Sequence, residues 1–152
     1  ALESRLVLCY TGVSRVSGAI HEEVWDAFRA GDRNTVNALY GLRDTAEAVR
    51  AALLTGDLDA FGHLLNDNWR LQQALHRSVT NPGVDASFES AHRHGAVAGK
   101  AYGAGGGGCL LFLTAPGDKD RLESHLRERG TAPIAFRFEF GGLQIHREAG
   151  QP

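Results

Sequence analysis

Five glycines crowd the nine-residue run Lys100-Ala101-Tyr102-Gly103-Ala104-Gly105-Gly106-Gly107-Gly108. Residues without a Cβ reach positive φ and let the backbone approach another group closely. Successive bare amides in such a turn form a concavity that suits an anion, above all a phosphate. Gly103, Ala104, Gly105, Gly106, Gly107 and Gly108 are therefore the candidate phosphate loop, and the Lys100 ammonium beside them can offset phosphate charge. A flexible linker is the plainer reading of a glycine run. The flanks oppose it: Ala96-Val97-Ala98 precedes and Cys109-Leu110-Leu111-Phe112-Leu113 follows, and apolar runs of that kind read as buried strands. The run is no Walker A loop, because Gly-Lys-Ser/Thr is missing, and no dinucleotide fingerprint, because no helix signal follows it.

A second polar loop, Thr11 to Gly18, follows directly on the apolar run Leu6-Val7-Leu8-Cys9-Tyr10. Loops on a rigid scaffold carry binding groups. Arg15 can grip a sugar phosphate through two parallel hydrogen bonds, and Ser14 stands next to it; both are candidate substrate contacts, while Thr11 closes the turn. Asn68 breaks an apolar stripe, and a buried amide needs a partner, either a neighbouring helix or a sugar. Asp85, in a first helical turn, fits the helix dipole without any further role. His92, His94 and His125 share no metal spacing and read as surface residues. Trp69 covers a core edge, and Tyr102 packs from a strand onto a helix.

The elements that must hold these groups are legible from periodicity. Leu6–Tyr10 is a strand. Ser17 caps a first helix whose stripe is Ile20, Val24 and Phe28. A second helix runs from about Asn34 to Leu54, with Leu39, Leu42, Ala46, Val49 and Leu53 facing inward. Asp57 caps a third, with Phe61, Leu64, Asn68, Leu71 and Leu75 on one stripe. Asn81-Pro82 opens a fourth, a cap followed by proline at the first helical position. Two strands flank the glycine loop. A short helix carries Leu122 and Leu126. Ile134, Phe136, Phe138 and Phe140 alternate with Ala135, Arg137 and Glu139 as a half-buried strand. Gly141-Gly142 then suits a hairpin turn into a return strand with Leu143 and Ile145. With the helical insertion set aside, this order is βαββαβ plus an edge strand. The expected fold is an α+β split βαβ (ferredoxin-like) antiparallel sheet with an inserted helical segment and helices on one face.

Composition narrows the function classes. At 152 residues the chain is a single domain with its own core. A net charge of −2 with scattered basic residues gives no stripe for nucleic acid. No apolar run reaches a membrane span. Cys9 and Cys109 both lie in apolar runs, away from any CxxC spacing, which suits a reducing, cytoplasmic setting.

Lys100 to Cys109 resembles the third motif of the GHMP small-molecule kinases, the group that includes galactokinase, homoserine kinase, mevalonate kinase and phosphomevalonate kinase. Tyr10-Thr11-Gly12-Val13-Ser14-Arg15-Val16-Ser17, Asn66-Asp67-Asn68-Trp69-Arg70-Leu71 and Thr80-Asn81-Pro82-Gly83-Val84-Asp85 resemble its heptose-phosphate kinase and fucokinase branch. The resemblance runs from about Leu6 to about Ile145. It implies the C-terminal domain of a two-domain enzyme that uses ATP and Mg²⁺ to phosphorylate a sugar hydroxyl in the cleft between domains. The family's main Gly-Leu-Gly-Ser-Ser phosphate loop, its Mg²⁺-binding acid and its catalytic groups belong to an N-terminal domain that residues 1–152 do not contain. The expectation is a domain inactive alone, with that N-terminal domain and a sugar phosphate as partners and a homodimer as a further possibility. Two alternatives stand beside it: a metabolite-binding or dimerisation module of the same fold, and a kinase of the group acting on fucose, galactose or mevalonate.

Overall fold

The computed structural model describes residues 1–14 and 18–145. Strand β1 (Leu6–Tyr10) leads into helices α1 (Gly18–Arg29), α2 (Arg33–Thr55) and α3 (Leu58–Leu75). A single 3-10 turn (Arg77–Val79) precedes α4 (Pro82–Arg93); β2 (Ala96–Ala101), β3 (Cys109–Thr114), α5 (Lys119–Glu128) and β4 (Ala132–Ile134) follow. The sheet is antiparallel throughout, in the order β2-β3-β1-β4. That is the split βαβ order the sequence implies.

Side chains alternate across the sheet, so each strand feeds two layers. Val7 and Cys9 of β1 and Leu110 and Phe112 of β3 face α4 and α5, where Phe88, Ala91, Leu122 and Leu126 complete one core. Leu6 and Leu113 face the other way, onto Ala52, Phe61 and Leu65 of α2 and α3. The two helices of the βαβ plan thus share one face, and the inserted pair α2–α3 adds a layer on the other. A register shift between Ala96 and Ala98 lets β2 serve both layers, with Ala96 in the first core and Ala98 in the second. Toward its C-terminal end α3 passes the β2 edge. There Trp69, 7% exposed, stacks on Phe88 at 5.1 Å. It belongs to the core rather than to its rim.

Two of the expected caps form, Ser17 lies outside the described residues, and Asp118 precedes α5 without a side-chain cap bond. Asp57 accepts from the Ala60 amide, and Asn81 accepts from the amides of Gly83 and Val84. The inward line of α2 differs from the expected one. It runs through Thr35, Ala38, Thr45 and Ala52, while Ala46 and Leu53 are exposed. Small residues win because α2 lies close on α3: a Cβ on Gly41 would meet Leu71 Cδ2 at 2.8 Å. The expected strand to Phe140 and its return strand are absent among the described residues. β4 stops at Ile134, opposite Leu8. Two residues further on it would stand opposite Leu6, where β1 itself begins, so little ladder remains to extend it.

Candidate functional site

The glycine loop is braced from four sides. Tyr102 N–H donates to Cys109 O at 2.8 Å and closes the mouth of the β2–β3 connection. Gly106 N–H donates to Val79 O at 2.6 Å, and Gly108 N–H donates to Val13 O at 2.7 Å. Gln72 Nε2 of α3 donates to Gly103 O at 2.6 Å, and Asn81 Nδ2 donates to Gly106 O at 2.8 Å. Asn81 therefore caps α4 with its oxygen and holds the loop with its nitrogen. Gly105, Gly106 and Gly107 are buried. A Cβ on Gly105, at φ +81°, would run into the Val79 carbonyl, and one on Gly107 would sit 2.9 Å from Val13 O. The run is a fixed turn and not a linker. The amides of Gly106 and Gly108 are committed to the main chain, so an anion here must be met by the other amides of the run.

Depressions lie against the loop on several sides. One of about 220 Å³ brings Ser14, Ile20 and Tyr102 against Gly103, Gly105 and Gly108. A second of about 410 Å³ lies beside β2 and is lined by Phe61, Leu65, Lys100, Tyr102, Gly103 and Leu111. Lys100 Nζ donates to Asn68 Oδ1 at 2.5 Å there. Burial pushes the Lys100 ammonium below the ordinary lysine range, and no carboxylate pairs with it among the described residues. A half-buried cation matched only by a neutral amide has room for an anionic partner. A third depression, about 240 Å³, is walled by Ile20, Val24, Trp25, Leu39, Val79 and Gln72.

The expected site residues separate into two groups. Ser14 and the loop come together. Lys100 and Asn68 come together on the adjoining face, where Asn68 holds Lys100. Arg15 lies outside the described residues. Thr11 closes its turn, with Val13 N–H donating to its Oγ1 at 3.4 Å. Asp85 sits in the first turn of α4 and accepts from Thr80 Oγ1. Tyr102 is 57% exposed and lines two of the depressions, so it faces the site and not a helix. His94 and His125 are no free surface residues: their rings stack at 3.5 Å, and His125 Nε2 is 2.7 Å from Ser90 Oγ. The bracing by Gln72 and Val79 has no local signature. Asn81 showed its cap through the following proline but not its second bond.

Residues 49–132 match the family model "GHMP kinases C terminal". The chain belongs to the GHMP kinase C-terminal family. The matched stretch contains the glycine loop, Lys100, Asn68 and all the side-chain braces of the loop. The GHMP domain is 28% identical, over 96% of its length, to 42% of a D-glycero-alpha-D-manno-heptose 7-phosphate kinase from Campylobacter jejuni. It is 31% identical, over 82% of its length, to 12% of the bifunctional fucokinase/GDP-fucose pyrophosphorylase of Arabidopsis thaliana. The domain thus spans well under half of either relative. In fold it is similar to L. major mevalonate kinase, solved with R-mevalonate, at a TM-score of 0.72 and 23% identity, covering 82% of this chain and 38% of that one.

Proposed function

We propose that this GHMP domain is the C-terminal part of an ATP-dependent kinase that phosphorylates a hydroxyl of a heptose phosphate or a related sugar. One observation carries the reading: a rigid, glycine-rich turn lies beside an unneutralised lysine, inside the stretch that matches the family. Phosphoryl transfer depends on cradling phosphates and stabilising their charge. The amides of the loop and the Lys100 ammonium are the groups of this domain that fit a phosphate. Asn68 fixes the lysine's position. Ser14 lines another depression of the loop, with Gly103, Gly105 and Gly108, where a sugar hydroxyl would enter, and Arg15 is its neighbour in sequence.

Among the described residues no three His, Cys, Asp or Glu side chains gather as a metal site. The family resemblance, and not that observation, is what places the Mg²⁺-binding acid in an N-terminal domain. That N-terminal domain is the partner the reading requires, with the reaction in the cleft between the two. A cytoplasmic setting suits the use of ATP. It also suits two thiols that leave the sheet on opposite faces, Cys9 opposite Leu110 and Cys109 opposite Tyr10. Burial pushes the Cys9 thiol up to about 11. No described helix is long and apolar enough to cross a membrane.

The test is phosphoryl transfer by the intact protein with ATP, Mg²⁺ and heptose 7-phosphate, followed for the wild type and Lys100→Met. We expect turnover with the sugar phosphate and a loss of about 100-fold in kcat/KM on removing the cation. Transfer to fucose or mevalonate in its place would reassign the acceptor. Absence of transfer to all three would overturn the kinase reading, and full activity in Lys100→Met would remove Lys100 from the site.

A further inference from the structure

The glycine loop has a back and a front. Its back leans on the end of α3 and the turn into α4. Gln72 Nε2 donates to Gly103 O, and Asn81 Nδ2 donates to Gly106 O. Gly106 N–H donates to Val79 O, and Gly105 lies so close to the same carbonyl that a Cβ would collide with it. Gln72, Val79 and Asn81 therefore stand behind the loop. None of the three lines the depression of about 220 Å³ where Ala104 and Gly107 meet Ser14 and Tyr102. That depression is the front.

Peptide planarity shows what the front offers. A trans peptide unit is flat, so its N–H points opposite to its C=O, and these units are trans. The Gln72 carboxamide holds the Gly103 carbonyl at the back and so turns the Ala104 N–H forward. The Asn81 carboxamide holds the Gly106 carbonyl and turns the Gly107 N–H forward in the same way. Neither of these amides has a main-chain acceptor among the described residues, whereas those of Gly106 and Gly108 donate to Val79 O and Val13 O. Two such amides from one turn suit the oxygens of a phosphate. Peptide units next to glycine turn over at little cost, so a clamp on each carbonyl is what keeps the two amides forward. Gln72 adds a second indication. It is 7% exposed, and its Oε1 is buried without a partner among the described residues. An orphaned buried acceptor is a cost to stability, and the donor half of the same carboxamide goes to the loop.

We infer that Gln72 and Asn81 are positioning residues: by holding two carbonyls back, they present the Ala104 and Gly107 amides to the oxygens of a phosphate-bearing ligand. The ligand class rests on the phosphoryl-transfer reading; the direction of the amides does not. Asn81 has a double duty in this arrangement, because its Oδ1 caps α4 through the amides of Gly83 and Val84. The start of α4 and the front of the loop are thereby fixed by one side chain.

The experiment follows the amide resonances of the intact protein by heteronuclear NMR as inorganic phosphate is added, for the wild type, Gln72→Met and Asn81→Ser. Methionine keeps the length of glutamine without its donor. Serine keeps an oxygen for the α4 cap and is too short to hold Gly106 O as well. We expect Ala104 and Gly107 to shift in the wild type while Gly106 and Gly108 stay in place. Gln72→Met should lose the Ala104 response and Asn81→Ser the Gly107 response, each with phosphate bound about ten-fold more weakly. The remaining resonances report in the same spectra that each variant is folded, and either variant decides the matter for its own amide. A response at Gly106 and Gly108 with none at Ala104 and Gly107 overturns the assignment. So does wild-type phosphate affinity in both variants, which would leave the two carboxamides as braces of the fold. Turnover is not part of this readout. Responding amides in a protein that transfers no phosphoryl group would sink the kinase reading and leave the positioning roles standing.

Discussion

At Lys100 the demands of stability can be separated from the ligand role proposed for it. Its ammonium is half-buried, held by Asn68 Oδ1 at 2.5 Å, and lowered below the ordinary lysine range by loss of water. Between that depressed value and the ordinary 10.5, the unfolded chain holds a proton that the folded chain has released. Stability contributed by this group therefore rises with pH across that alkaline window. At neutral pH the charge is a cost. Replacing both members of a buried polar pair by apolar groups is near neutral or stabilising, whereas removing one orphans the other. We expect Asn68→Leu alone to lose about 1–2 kcal/mol in urea unfolding, and Asn68→Leu with Lys100→Met to regain it while phosphoryl transfer stays low. A double variant as unstable as the single would make the pair structural. The sequence marked Asn68 as an interruption in the core stripe of α3. The inward line of that helix instead runs through Leu65, Trp69 and Gln72. A helix wedged between α2 and the β2 edge has two buried sides, and a single stripe cannot show both.

At the scale of elements, the sequence carried most of the order because local signals fixed the ends. Asp57, Asn81-Pro82 and Gly56 set helix boundaries through caps that act within a few residues. The extent of the last strand was not legible, because it depends on where β1 begins, more than a hundred residues away. The clasp between α4 and α5 was equally hidden. His94 bonds Ser90 O through Nδ1 at 2.8 Å and lies flat on His125, which meets Ser90 Oγ. His125 is lowered below the ordinary imidazole value by burial first, then by His94 and by Arg129 and Arg93, with Glu128 opposing. Below the ordinary value of 6.5 the unfolded chain takes up a proton that the folded His125 refuses, so stability falls as pH falls through that window. Melting curves between pH 7.5 and 5 should show a decline in the wild type that is shallower in His125→Asn. An equal decline in both would place the titration elsewhere.

For the whole molecule, the two-layer core predicts an order of opening. β3 lies between β2 and β1, and Leu110, Phe112 and Leu113 are fully buried, feeding the two layers alternately. Freeing its amides requires both cores to come apart, which is global unfolding. Helix α1 is attached differently. Ile20 packs on the first core from the side, Glu23 pairs with His76, and Trp25 is 55% exposed. The same helix walls two of the depressions beside the glycine loop, so its opening would change the shape of the site without disturbing the sheet. Native-state hydrogen exchange should find the α1 amides exchanging by local opening, well before those of β3. Ligands that engage the loop should slow β3, because β3 exchanges only when the domain unfolds and binding adds to its stability, and should slow α1 as well, because opening of α1 reshapes the bound site. Equal protection of α1 and β3 would mean that α1 belongs to the cooperative core. Protection of β3 alone on ligand binding would place the ligand away from the glycine loop.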